Sequence, residues 1–103
     1  MIIYNVTVNI EESAQHEWLK WINETHIADV LNTGMFTAAK MSKVLVEEQM
    51  GGVTYSIQYT CESQEKLDLY TKNHAPALQQ EHNNKFQGKF VAFRTLMEVI
   101  SEF

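Results

Sequence analysis

Two stretches of strict alternation constrain this chain more than anything else in it. From Ile2 to Ile10, Ile2, Tyr4, Val6, Val8 and Ile10 fall on one face, and Ile3, Asn5, Thr7 and Asn9 on the other. From Val53 to Cys61, Val53, Tyr55, Ile57, Tyr59 and Cys61 oppose Thr54, Ser56, Gln58 and Thr60. A period of two marks a strand with one apolar and one polar face. Such strands need neighbours in a sheet and a cover over the apolar side.

The remaining segments supply both. Glu11, Glu12 and Ser13 place acids where a helix N-terminus favours them. Ala14, Trp18, Trp21 and Ile22 then recur at helical spacing, which predicts a helix over Ser13–Asn23. Thr25 to Leu31 reads as a bent continuation or a separate turn, and Gly34 suits a left-handed cap. Phe36 to Glu47 reads as a second strand, and Gln49-Met50-Gly51-Gly52 as a hairpin turn. Ser63 is placed to cap a second helix carrying Leu67, Tyr70 and His74. Pro76 fits the first turn of a further helical piece running to Phe86. Gly88 stops that piece, and Phe90 to Ile100 forms the last strand. The order predicts an α+β fold: a ferredoxin-like βαββαβ sandwich with a four-stranded antiparallel sheet, strands one and three at its centre. A length of 103 residues fits a single domain over 1–103.

The second and last strands carry apolar residues on both faces: Val44 and Val46 against Met41 and Leu45, and Val91, Phe93 and Met97 against Phe90 and Leu96. Helices can cover only one of those faces. The expected cover for the other is a second copy, giving a homodimer with two sheets face to face. Alternation alone does not label which face meets the helices.

Charge narrows the partners. Eight basic and 13 acidic residues give a net charge of −5, with no basic cluster, which argues against nucleic acid and anionic membranes. No apolar run is long enough to span a bilayer. Cys61 is the only cysteine, so no intramolecular disulfide forms and a reducing cytoplasm is expected. The first residues lack a basic region and alternate, unlike a signal peptide.

Chemistry-bearing residues are few. There is no glycine-rich phosphate loop and no nucleophile elbow. Glu11-Glu12 and Glu47-Glu48 sit at element ends and read as solvated surface. Of the four histidines, His16 reads as solvated, His26 as orienting a helix break and His74 as holding the junction before Pro76. None has the spacing of a metal pair, and Cys61 completes no Cys/His set, so neither metal nor cofactor is expected. Arg94 is the only arginine, on the parity of Phe90, Leu96 and Glu98. A charge in an apolar strand needs a partner, which is Glu98, the other subunit, or a carboxylate or phenolate on a ligand. Tyr55, Tyr59 and Tyr70 add hydroxyls, and Asn5 is a polar interruption suited to a wet cavity or the dimer seam. The candidate ligand-binding set is Asn5, Tyr55, Tyr70 and Arg94; the candidate catalytic residues are His74 and His82.

Several segments together resemble a known family. They are the opening MIIYNVTVNI, Trp18 with His26-Ile27 and Thr33-Gly34-x-Phe36, then Gly51-Gly52-Val53-Thr54-Tyr55, His74-Ala75-Pro76-Ala77-Leu78 and Phe90-Val91-Ala92-Phe93-Arg94-Thr95. They look like the domain-of-unknown-function family numbered 4286, over nearly the whole chain, with Ala28 where Pro is expected. More loosely the chain is similar to the dimeric α+β barrel proteins, which include antibiotic-biosynthesis and haem-degrading monooxygenases and muconolactone-isomerase-like enzymes. The resemblance implies a dimer with a pocket between sheet and helices in each subunit. The haem-degrading members imply places for Asn5 and for His74 or His82. Their tryptophan follows the third strand, whereas Trp18 and Trp21 lie in the first helix here. Three readings follow: a dimer binding a small hydrophobic or aromatic ligand, a cofactor-independent monooxygenase or isomerase, and a non-catalytic interaction module.

Overall fold

The computed structural model describes residues 1–46 and 51–103. Strands β1 (Ile2–Ile10), β2 (Ala38–Lys43), β3 (Val53–Cys61) and β4 (Phe90–Glu98) form one sheet in the order β2-β3-β1-β4. Every pairing is antiparallel, and the two alternating strands occupy the centre as expected. Tyr4 lies opposite Tyr59 and Leu96; Val6 lies opposite Ile57 and Arg94. These rows therefore share a face.

That face is the one the helices cover. Tyr4, Val8, Ile10, Tyr55, Ile57, Tyr59 and Cys61 are buried, together with Trp18, Ile22, Val30, Leu67 and Phe86 from the helical layer. The layer comprises α1 (Glu12–Trp21), a π-helical turn (Ile22–His26), α2 (Ile27–Leu31), α3 (Gln64–Asn73) and α4 (Ala75–Lys85). Of the two forms expected after residue 24, a continuation or a separate turn, the chain takes the first, a continuous helical path. Trp21 and Ile27 both keep right-handed helical dihedrals, and the Ile27 N–H reaches the Ile22 carbonyl five residues back. One extra residue is thus taken into the turn without ending the helix.

Helix α3 begins as its sequence predicts. Ser63 is extended (φ −151°, ψ 159°), and its side-chain oxygen accepts from the Lys66 N–H at 3.2 Å. His74 separates α3 from α4, with Pro76 in the first turn of α4, where a missing N–H costs nothing. Cys61 is a packed core residue, its Sγ lying 3.3 Å from the Met35 carbonyl and 3.2 Å from that of Ser63.

Two strand ends differ from expectation. Phe36 is buried as a core plug ahead of β2, 4.7 Å from the Tyr70 ring and 5.3 Å from that of Tyr59. Strand β4 ends at Glu98 because its partner Ile2 is the first residue of β1; beyond it one bond remains, from Val99 N–H to the Met1 carbonyl at 2.9 Å. Glu47, Glu48, Gln49 and Met50, in the expected strand end and turn, lie outside the described residues.

The uncovered sheet face is polar at its centre and apolar at one edge. Asn5, Thr7, Ser56 and Gln58 occupy the centre, whereas Val91, Phe93 and Met97 on β4 are 69 %, 62 % and 39 % exposed. The uneven face repeats the two-sided pattern read from the last strand.

Replacing the Ser63 cap by Ala should destabilise the protein by about 1 kcal/mol. Ser63→Asp, which restores an acceptor, should recover most of it. Urea unfolding of the two variants checks both statements.

Candidate functional site

Between the sheet and the helices lies a cavity of about 30 Å³, room for a water or two. Its floor is apolar: Val6, Val8 and Ile57 from the sheet, with Ile22, Val30 and Leu78 from the helices. Its polar lining comprises Tyr4, Tyr59, Tyr70, His26, Gln79, His82 and Arg94. No Asp, Glu or Lys is among these residues, and Arg94 is their one permanent charge.

His82 anchors one wall. It is 6 % exposed and accepts a hydrogen bond from Trp18 Nε1–H on Nε2 at 2.9 Å. A ring nitrogen that accepts carries no hydrogen, so this imidazole is neutral with its hydrogen on Nδ1. Trp21 stacks on the ring at 5.6 Å and 12°, and Phe90 closes the other side at 4.1 Å. Burial, with smaller contributions from His26 and Arg94, pushes the His82 pKa down to about 4.

His26 stands next to it, 5.7 Å ring to ring, on the last residue of the π-helical turn. Its Nδ1 is buried without a hydrogen-bond partner among the described residues. Burial lowers its pKa, partly opposed by Asp29 and reinforced by Arg94. The phenols of Tyr59 and Tyr70 are held protonated. Burial is the main cause for both, with Tyr70 and Tyr4 acting on Tyr59, and Tyr4 raising and Arg94 lowering Tyr70.

The structure brings together some of the candidate residues and separates others. Tyr70, His82 and Arg94 line the cavity. Tyr55 faces the helices but is used elsewhere: its hydroxyl accepts from Gln15 Nε2 at 2.6 Å, and its ring packs on Trp18. His74 sits at the α3–α4 junction against Tyr70. Asn5 lies on the opposite sheet face, 8 % exposed, donating to Thr7 Oγ1 and accepting from Ser56 Oγ. Its amide is satisfied within the sheet and does not reach the cavity. Of the cavity residues, Tyr4, His26 and Gln79 were not singled out as ligands from the sequence. A signal for His26 existed in the loss of helical phase near residue 24, which a π-helical turn produces.

Arg94 makes no ion pair among the described residues; the pairs there are Lys66–Glu62 and Lys89–Glu11. Glu98, one of the three partners expected, is four residues along an extended strand, about 13 Å away by strand rise. These residues do not fit a haem: Asn5 is on the wrong face, His74 lies off the cavity, His82 Nε2 is engaged, and the volume is far too small. Among the described residues no group of three or more His, Cys, Asp or Glu is placed to hold a metal ion, and no helix is long and apolar enough to cross a membrane.

Comparison with known proteins agrees with this architecture. A family model described as a domain of unknown function, DUF4286, matches residues 1–100. No curated protein matches the chain. Among solved structures, protein At3g17210 from Arabidopsis thaliana is similar at 17% identity and a TM-score of 0.72, covering 100% of this chain and 99% of that one. A dimeric ferredoxin-like protein from an uncultured marine organism matches at 17% identity and 0.72, covering 99% and 96%. SnoaB, a cofactor-independent oxygenase from Streptomyces nogalater, matches at 11% and 0.67, covering 98% and 95%. At these identities the likeness establishes the ferredoxin-like fold.

Two outcomes follow from the His82 environment. Trp18→Phe leaves Nε2 buried without its donor and should cost about 1–3 kcal/mol in chemical unfolding. In the unfolded chain His82 takes up a proton near pH 6.5, in the folded chain only near 4. Stability should therefore fall as pH drops from 6.5 towards 4. His82→Gln should show a shallower decline over that window in thermal melts.

Proposed function

We propose that this chain, which belongs to the domain-of-unknown-function family DUF4286, acts as a homodimer binding a small molecule between sheet and helices. The observation that carries the reading is a cavity with an apolar floor and several polar lining residues, one of which, His26, has its buried Nδ1 without a partner among the described residues. Buried polar groups in folded proteins are almost always bonded. An apolar cavity with a few polar groups around it is the usual form of a ligand site. A cytoplasmic setting suits the lone, buried Cys61.

The dimer rests on the other sheet face. Val91, Phe93 and Met97 form an exposed apolar strip on β4, and Ile3 adjoins it opposite Met97. A second copy packed sheet to sheet covers that strip and leaves the helix-side cavity in each subunit intact. The similar marine protein, described as dimeric and ferredoxin-like, supports this arrangement.

A second reading, a cofactor-independent oxygenase or isomerase, draws on His26. A neutral imidazole with an unpartnered nitrogen in a cavity is chemically equipped to accept a proton from a bound substrate. SnoaB, on the same fold, is a cofactor-independent oxygenase.

Native mass spectrometry of the protein as purified tests the first reading. The expected result is a dimer, with a small adduct where the ligand survives purification. Phe93→Glu places a charge in the seam and should shift the population to monomer. A monomeric wild type contradicts the dimer, and a Phe93→Glu variant that stays dimeric contradicts this seam.

A further inference from the structure

The cavity's lining also specifies what kind of molecule it receives, an inference that rests on the binding reading above. We infer that the occupant is a small monocarboxylate whose oxygens are held by the Arg94 guanidinium, with His26 Nδ1 and the tyrosine hydroxyls as the remaining polar contacts.

Charge is the first argument. Arg94 lies opposite Val6 on the helix-facing side of the sheet, with no ion pair among the described residues. Among the described residues no carboxylate lines the cavity, and Glu98 is about 13 Å along the strand. Asp29 is near enough to act on His26 but is not part of the lining. The other titratable groups facing this space are His26 from the π-helical turn, His82 from α4, Tyr70 from α3, Tyr4 from β1 and Tyr59 from β3. Burial favours the neutral form of both histidines and of Tyr59 and Tyr70. The site is thus a single cation among neutral donors. A cationic ligand would be repelled. A phosphate would bring more negative charge than one guanidinium balances. A monocarboxylate matches in charge, and its two oxygens match the guanidinium fork.

Hydrogen bonding and size agree. His26 Nδ1 is buried and unpartnered; with its ring hydrogen there, it donates to an anionic oxygen. The free volume of about 30 Å³ is that of one or two waters, room for the two oxygens of a carboxylate and not for a ring.

Butyrate, its neutral isostere butyramide and the cation butylamine separate the possibilities. Each is titrated at pH 7 into the isotopically labelled full-length protein, and the NMR signals of the cavity residues are followed. Butyrate should shift those signals saturably, with butyramide at least about tenfold weaker and butylamine without effect. Arg94→Gln should weaken butyrate about ten- to a hundredfold and leave butyramide unchanged. Arg94 is exposed, so this variant is expected to fold. If butyrate and butyramide bind equally, or Arg94→Gln leaves butyrate unaffected, the carboxylate assignment is wrong while a binding cavity remains. If none of the three moves a cavity signal, the binding reading fails with it.

Discussion

The hydrogen bond from Trp18 Nε1–H to His82 Nε2 ties α1 to α4, 64 residues apart in sequence. Both rings are buried, so neither group has water as an alternative partner. The bond fixes which nitrogen of His82 carries hydrogen and holds the ring beneath Trp21 and against Phe90. Phe90 opens β4 opposite Ile10, so the His82 ring also packs against the start of the last strand. That strand carries Arg94 into the row of Val6 and Ile57. Helical layer, sheet edge and cavity are positioned from one polar contact within an aromatic cluster.

The two sheet faces divide the work. The helix-facing side has large aromatics that pack closely around Tyr4, Phe36, Tyr59 and Tyr70. Their rings fill the core, and the three tyrosines among them line the small space left over. The opposite side satisfies its polar groups within the sheet, as Asn5 does through Thr7 and Ser56. At β4 that side is apolar and exposed, through Val91, Phe93 and Met97. The exposed apolar strip of β4 and the cavity thus lie on opposite faces of one sheet.

Much of this was legible in the amino-acid order. Strict alternation located β1 and β3, and the Ser63 cap and Pro76 located the starts of α3 and α4. Tyr70, His82 and Arg94 were identified because each is a polar or titratable group on an otherwise apolar stripe. Asn5 falls on the uncovered face, the seam side of the two places its polarity suits, and sequence does not choose between them because period two gives two faces without saying which is covered. The π-helical turn was hidden because one inserted residue looks, in sequence, like a helix break. His26 was therefore assigned to a turn when its ring enters the cavity. Glu98 was named as a partner for Arg94 from shared parity, although strand rise separates the two. Tertiary placement, not residue type, decided each of these cases.

His26 Nδ1 is buried without a partner among the described residues, and the exposed Arg94 makes no ion pair among them; a bound carboxylate would engage both. A crystal structure of the protein as purified, at a resolution that separates a bound carboxylate from water, tests it most directly. The account predicts a sheet-to-sheet dimer with density in the cavity, within hydrogen-bond distance of both the Arg94 guanidinium and His26 Nδ1. A closed cavity, with Arg94 paired to a carboxylate of its own or the neighbouring subunit, would contradict it.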